Sequence, residues 1–292
     1  MDEGNKTALR RCRFLNDEYF SKLYKTFLEA FSDYVMPFAL TEAQFRNHIT
    51  LNGVDLDRTV GCEEGDRLIA FSLNGFGRWN GKLTAYDAGT GVIPSHRRRG
   101  ISREMFEMMM PPFAESGIEQ FLLEVITTNT GAIALYERLG FRVVRELGLL
   151  QRDERLPTAD SSSGFDIRSI DDPDWNELGS FWEAQPSWQN SIDAVKRSRD
   201  HKRILGAHAD EKCIGYIVFS SIFGRISQLA VHPEYRDRDV GTALVLSMQT
   251  EMAEGFSMQV INIDKASTSA IEFFNKLGFY ERLSQYEMLR EM

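Results

Sequence analysis

Hydrophobic and polar positions along the chain change period several times, and each change marks an element. Phe20, Leu23, Phe27 and Phe31 recur at the spacing of one helix face, and Met36-Pro37 is expected to end that helix. Residues 55–88 read as strands, with DRLIAFSLNGFG offering apolar runs broken by glycines and KLTAYDAGTGV following. After Gly100 a helix carries Met105, Phe106 and Met109, and is predicted to stop before Pro111-Pro112. FLLEVI (121–126) reads as a short buried strand, TGAIALYERLG as a helix closed by Gly140, and FRVVREL with LGLLQR as terminal strands. Later, KCIGYIVFSSIFGRISQLAV reads as a strand pair, VGTALVLSMQTEMAEG as a helix, MQVINI as a strand and STSAIEFFNKLG as a helix.

The same order thus occurs twice, and residues repeat with it. GVIPSHRRRGIS (91–102) lies over AVHPEYRDRDVG (230–241) at a constant offset, placing Val92 on Val231, Pro94 on Pro233, Arg97 on Arg236 and Arg99 on Arg238. LYERLGF (135–141) then lies over FFNKLGF (273–279), one residue out of step with the first match. Two matched segments in one order indicate a duplicated domain. Between the halves, RDERLPTADSSSG is polar and aperiodic, so the expected division is a domain at 1–152, a linker at 153–164 and a domain at 165–292. Strands alternating with helices in each half predict the α/β class, a mixed sheet flanked by helices.

Composition narrows the function classes. With 42% hydrophobic and 26% charged residues the chain reads as globular, and 292 residues suit two domains. A formal charge of −9 argues against a nucleic-acid surface, while leaving room for a local basic pocket. No apolar stretch suits a membrane span or a leader peptide, so no membrane partner is expected. Cys12, Cys62 and Cys213 are odd in number, far apart in sequence and without metal-ligand spacing. They predict no disulfide framework and no metal site, and a reducing, cytoplasmic location.

The densest chemistry lies in Val92, Ile93, Pro94, Ser95, His96, Arg97, Arg98, Arg99, Gly100, Ile101 and Ser102, between a strand and a helix. A turn at a helix N-terminus presents backbone N–H groups and the positive end of the dipole to an anion. Gly100 lets the backbone approach phosphates closely, and the arginines add positive charge. Gly89-Thr90-Gly91 just upstream lacks the third glycine and the acidic residue of a dinucleotide fingerprint. The segment resembles the acetyl-CoA pyrophosphate loop of the GNAT N-acetyltransferases, with Arg97, Gly100 and Ser102 on the pattern and Ser102 in place of its last small residue. The resemblance covers both halves and implies two tandem GNAT-like domains. It further implies acetyl-CoA as co-substrate, held by Val92, Ile93, Pro94, Arg97, Arg98, Arg99, Gly100, Ile101 and Ser102. Val92 would bond the pantetheine arm through its backbone, at a splay between two parallel strands.

LLEVITTNTGAIALYERLGF adds Glu124, Asn129 and Tyr136, an arrangement similar to that of the bacterial enzymes acetylating ribosomal-protein N-termini. By that resemblance Glu124 is the general base acting through water, Tyr136 protonates the leaving thiolate, and Asn129 holds the pantetheine. Asn129 also suits a helix cap. Asp87, near a strand end, is a second candidate base. In the C-terminal half Asn262, Ser267 and Phe274 stand at the positions of Glu124, Asn129 and Tyr136, and Asp239 stands at that of Gly100. A carboxylate in an anion cradle implies an idle C-terminal domain that binds CoA weakly or not at all. The acceptor, a small-molecule or peptide amine, is expected near residues 17–50, with Ser32, Asp33 and Tyr34 the distinctive polar group. The function predicted is acetyl transfer from acetyl-CoA to a primary amine by direct attack in a ternary complex. A non-catalytic acyl-CoA sensor, or a tandem transferase using another acyl donor, remains the alternative.

Overall fold

Helix α1 (Phe20–Ala30) buries Leu23, Thr26, Phe27 and Ala30, a stripe at the spacing its sequence implied. The structure is a computed structural model that describes residues 9–34, 40–157, 164–253 and 255–292. Met36-Pro37 and the serine triplet 161–163 lie outside these residues. The chain divides into two compact units, Met1–Val144 with Met288–Met292, and Arg145–Glu287.

In the first unit, β1 (Arg10–Phe14), β2 (Val60–Glu64), β3 (Arg67–Trp79) and β4 (Lys82–Val92) form an antiparallel run. Strand β5 (Gln120–Ile126) then lies parallel to β4. Helix α2 (Glu42–Asn52) starts on a capping box between Thr41 and Gln44. Helix α3 (Ile101–Glu115) buries Met105, Phe106, Met109 and Phe113. Helix α4 (Thr130–Arg138) ends before Gly140, whose φ of +87° is the left-handed conformation glycine supplies after a helix. Phe106, Phe121, Tyr136 and Phe141 interlock with ring centroids 5.5 to 6.0 Å apart. The terminal segment Met288–Met292 is held here as well, with the Met292 N–H donating to the Glu119 carbonyl and Arg290 to the Leu139 carbonyl.

The second unit opens inside β6 (Arg142–Arg152), whose residues from Leu147 to Arg152 pair antiparallel with β11 (Met258–Asp264). Its strands run β6, β11, β10 (Arg225–Val231), β9 (Lys212–Ser220), β8 (Arg203–Ala209) and β7 (Asp166–Ser169), with β10 and β11 parallel. Helices α5 (Trp175–Gly179), α6 (Ile192–Arg197), α7 (Val240–Glu251) and α8 (Thr268–Lys276) complete it before the last strand, β12 (Tyr280–Glu291). Leu205, Ile217, Phe219, Leu244, Met248 and Phe274 belong to its core.

Three expectations change. Helix α3 runs through Pro111 and Pro112 to Glu115. Both prolines are exposed, so the Glu107 and Met108 carbonyls they leave without N–H partners are on the side open to water, while buried Met109, Met110 and Phe113 hold the turn. Strand 142–152, expected to close the first domain, goes to the second unit from Arg145 on, and the last five residues go to the first. Finally, Cys12 and Cys62 face each other across β1 and β2 and form a disulfide, leaving Cys213 free and buried. Their separation of 50 residues closes to adjacency because the strands are paired, and the expected reducing compartment loses that support. Among the described residues no helix is long and apolar enough to cross a membrane.

Candidate active site

Strands β4 and β5 pair from Thr84 opposite Gln120 to Asp87 opposite Leu123. Beyond that point β4 continues to Val92 and β5 to Ile126 without further pairing, a splay of the kind the family resemblance implied. On its other edge β4 shifts register with β3 between Asp87 and Gly89, so a bulge takes Ala88 out of the ladder. The His48 ring reaches this bulge from α2, and Nε2 donates to the Ala88 carbonyl at 2.9 Å.

Asp87 is buried at the end of the paired stretch. Its Oδ1 accepts from the Gly89 N–H at 2.9 Å, and its Oδ2 from the Thr90 hydroxyl at 2.8 Å and the Tyr136 phenol at 3.4 Å. Burial pushes the Asp87 carboxyl up to about 6, against the lowering effect of these three donors. The Tyr136 phenol is raised well above its ordinary value, by burial first and then by the charges of Asp87 and Tyr34. Tyr34 is raised by burial and hydrogen-bonded to Asn129. Asn129 also caps α4, its Oδ1 accepting from the Ala132 N–H at 3.2 Å. Glu124 is the half-buried residue just past the last β4–β5 pair. The structure therefore brings Tyr136 together with Asp87, Tyr34, Asn129 and Thr90.

At the far end of β4 the chain forms a short helical turn, Pro94–His96, and then α3. Arg98 and Gly100 take left-handed φ of 61° and 76°, and a Cβ built on Gly100 would meet nothing within 4 Å. The cradle is open, and the N–H groups of Ile101, Ser102 and Arg103 precede the first helical bond, from the Glu104 N–H to the Gly100 carbonyl. Arg98 and Arg99 are exposed beside it, and Ile93 and Ile101 are buried beneath it. These features fit a pyrophosphate. Arg97 has another task. Its Nε donates to the Val92 carbonyl, one terminal nitrogen to the Ala30 carbonyl, and both terminal nitrogens to Asp33 at 2.6 and 2.7 Å. These hydrogen bonds hold the Asp33 carboxyl below its ordinary value. Arg97 ties the loop to the end of α1, and its fork is already filled. Ser32 donates to the Glu29 carbonyl.

The second unit keeps the backbone frame. Strands β10 and β11 pair through Ile226 opposite Val260, β10 shifts register between Ile226 and Gln228, and Arg236 Nε donates to the Val231 carbonyl as Arg97 does to Val92. Asp237 and Asp239 repeat the left-handed φ of Arg98 and Gly100, at 57° and 61°. The chemistry differs, since buried Phe274 replaces Tyr136. Among the described residues a cavity of about 600 Å³ lies in this unit, lined by Phe181, Asp239, Val240, Val260 and Phe273 among others.

Sequence reasoning missed His48 and the structural use of Arg97. Helical spacing offered no signal for His48, which reaches β4 only through tertiary contact. The Arg97 role was detectable only through its repetition at Arg236.

Comparison with known proteins follows the same lines. The model of the acetyltransferase (GNAT) family matches residues 18–141 and again 165–279. A [ribosomal protein bS18]-alanine N-acetyltransferase of Escherichia coli is 32% identical over 96 residues, 29% of this chain and 62% of that protein. An N-alpha-acetyltransferase RimI of Mycobacterium tuberculosis is 35% identical over 104 residues, 35% of this chain and 61% of that protein. The chain thus spans less than two thirds of the length of these relatives. Among solved structures, a tandem GNAT protein from the clavulanic acid biosynthesis pathway superposes with a TM-score of 0.73 at 17% identity, over 97% of this chain and 98% of that one. A putative acetyltransferase from Pyrococcus horikoshii gives 0.71 at 16% identity, over 100% and 92%. With the family model matched twice in sequence order, the chain belongs to the acetyltransferase (GNAT) family as a tandem of two α/β domains.

Proposed function

We propose that the N-terminal unit transfers an acetyl group from acetyl-CoA to a primary amine by direct attack in a ternary complex. One observation carries this reading: an anion cradle and the Asp87–Tyr136 pair lie at two ends of one strand segment. Val92 lies five positions after Asp87, a span of about 17 Å in extended chain, which suits an extended pantetheine arm between pyrophosphate and thioester.

The N–H groups from Arg98 to Ser102, with the Arg98 and Arg99 side chains, would hold the pyrophosphate. The Val92 backbone and Asn129 would hold the arm, Ile93 and Pro94 shape the turn, and Arg97 positions the loop. Acetyl-CoA supplies the activated acyl group. Glu124 takes the proton of the incoming amine through water, so that its lone pair is free to attack. Tyr136 gives its phenolic proton to the departing thiolate. Its hydrogen bond to Asp87 is long at 3.4 Å, so the hydroxyl can turn from the carboxylate to the thiolate. Asp87 orients the phenol and keeps it protonated until the thiolate forms. The N–H of bulged Ala88, outside the ladder, is a donor of the kind a thioester carbonyl needs.

The acceptor is a peptide or small-molecule amine, the class to which the alanine acceptor named for the Escherichia coli relative belongs. Incubation with acetyl-CoA and a panel of peptide and small amines, with free CoA as the readout, tests the reading. CoA release dependent on an amine supports it. Binding of acetyl-CoA without release under any amine favours a sensor.

A further inference from the structure

The Ala88–Gly89 peptide is held by side chains on both of its edges. On one edge the Ala88 carbonyl accepts from His48 Nε2 at 2.9 Å, and on the other the Gly89 N–H donates to Asp87 Oδ1 at 2.9 Å. A trans peptide points these two groups in opposite directions, so the ring and the carboxylate grip one rigid unit between them. The second Asp87 oxygen accepts from the Tyr136 phenol. A single chain of hydrogen bonds thus runs from the imidazole through one peptide to the carboxylate and on to the phenol. A donor at the peptide carbonyl polarises the unit and strengthens its N–H in turn. Ala88 is only 8% and Asp87 7% exposed, so water has little access to replace a bond lost here.

His48 is itself fixed in place. It lies one turn before the end of α2, where buried Asn52 donates from Nδ2 to His48 Nδ1 at 3.3 Å and to the His48 carbonyl at 2.9 Å. A donor at Nδ1 leaves the ring hydrogen on Nε2, the nitrogen that meets Ala88. The end of α2 is bonded to β3, the Phe76 N–H donating to the Gly53 carbonyl at 3.1 Å and the Asp55 N–H to the Asn74 carbonyl at 3.0 Å. Gly75 permits this approach, since a Cβ there would collide with the Asn52 carbonyl. The Phe27 ring of α1 packs on the imidazole, with centroids 6.0 Å apart.

We infer that His48 is a positioning residue of the N-terminal site: its Nε2–H locks the Ala88–Gly89 peptide, and through the Gly89 N–H it sets the Asp87 carboxylate that holds the Tyr136 phenol. The same lock fixes the Ala88 N–H offered to the thioester carbonyl. This inference rests on the acetyl transfer proposed above, and one arm of its test is read without turnover.

The test compares the full chain with two variants that separate the donor from the ring. His48→Phe keeps a ring against Phe27 and removes the donor, whereas His48→Gln keeps an N–H donor of similar reach and removes the ring. With the amine that supports turnover, His48→Phe is expected to lower kcat about tenfold at unchanged KM for acetyl-CoA, and His48→Gln to recover most of that loss. Amide hydrogen exchange at Gly89, read by NMR without substrates, is expected to run at least about tenfold faster in His48→Phe and close to the parent rate in His48→Gln. Should His48→Phe fail to fold, His48→Ala, which also lacks the donor, carries the same expectation. A ring that serves packing alone gives the reverse order, with His48→Phe near the parent and His48→Gln impaired, and that result overturns the inference. So does a loss of kcat in His48→Phe with Gly89 exchange unmoved. Absence of amine-dependent CoA release from the parent protein overturns the proposed transfer instead, and Gly89 exchange then decides by itself whether His48 holds the peptide.

Discussion

At the scale of the residue, Asp87 and Tyr136 set the chemistry. A phenol held against a carboxylate in a buried site stays protonated across the working pH range, which suits a proton donor to a thiolate. Tyr136→Phe removes only the hydroxyl, and turnover is expected to fall about a hundredfold with acetyl-CoA affinity unchanged. Asp87 titrates near 6, above its ordinary 3.8. As pH rises from about 4 to about 6 the unfolded chain loses this proton before the folded one. The folded state then binds more protons, so stability must fall over that window, by up to about 3 kcal/mol from this group. Denaturant melts at pH 4 and pH 7 should show that loss, and Asp87→Asn should remove it. Of this arrangement Tyr136 and Asn129 were already named from the sequence, through its resemblance to the bacterial N-terminal acetyltransferases. Asp87 ranked below Glu124 because spacing along β4 does not reveal that α4 brings a phenol to it.

At the scale of the element, the loop from Val92 into α3 was readable because three local signals coincide there: a strand end, a basic run and a glycine before an apolar helix. The end of α3 was not, since a proline rule based on lost N–H bonds does not know which carbonyls face water. The loop is anchored by Arg97 and left open by Gly100, and the two make different predictions. Arg97→Ala frees the loop from Ala30, Asp33 and Val92, and should raise the KM for acetyl-CoA about tenfold with little change in kcat. Gly100→Asp copies Asp239 of the second unit and should lower acetyl-CoA affinity at least about tenfold. Its left-handed φ of 76° adds a backbone cost of about 1 kcal/mol. Calorimetry on the two variants separates anchoring from charge.

At the scale of the whole molecule, the chain is a duplication whose halves kept one backbone frame and diverged in charge. The duplication was legible from the matched segments at 91–102 and 230–241, because the phosphate-loop frame leaves a residue-level signature. The allocation of terminal strands was not, since the pattern along 142–152 and 288–292 does not say which strand each segment pairs with. The first unit holds Met288–Met292, and the second takes the chain from Arg145. A fragment ending at residue 152 therefore lacks the bonds that Arg290 and Met292 make to Leu139 and Glu119. It should show no cooperative thermal unfolding where the full chain does.

The central claim is that acetyl transfer runs in the N-terminal unit with Tyr136 as the proton donor. The most direct test measures kcat and acetyl-CoA affinity together for Tyr136→Phe, on the amine that supports turnover. A fall in kcat of about a hundredfold at unchanged affinity is the result predicted. Turnover equal to the parent protein would contradict it.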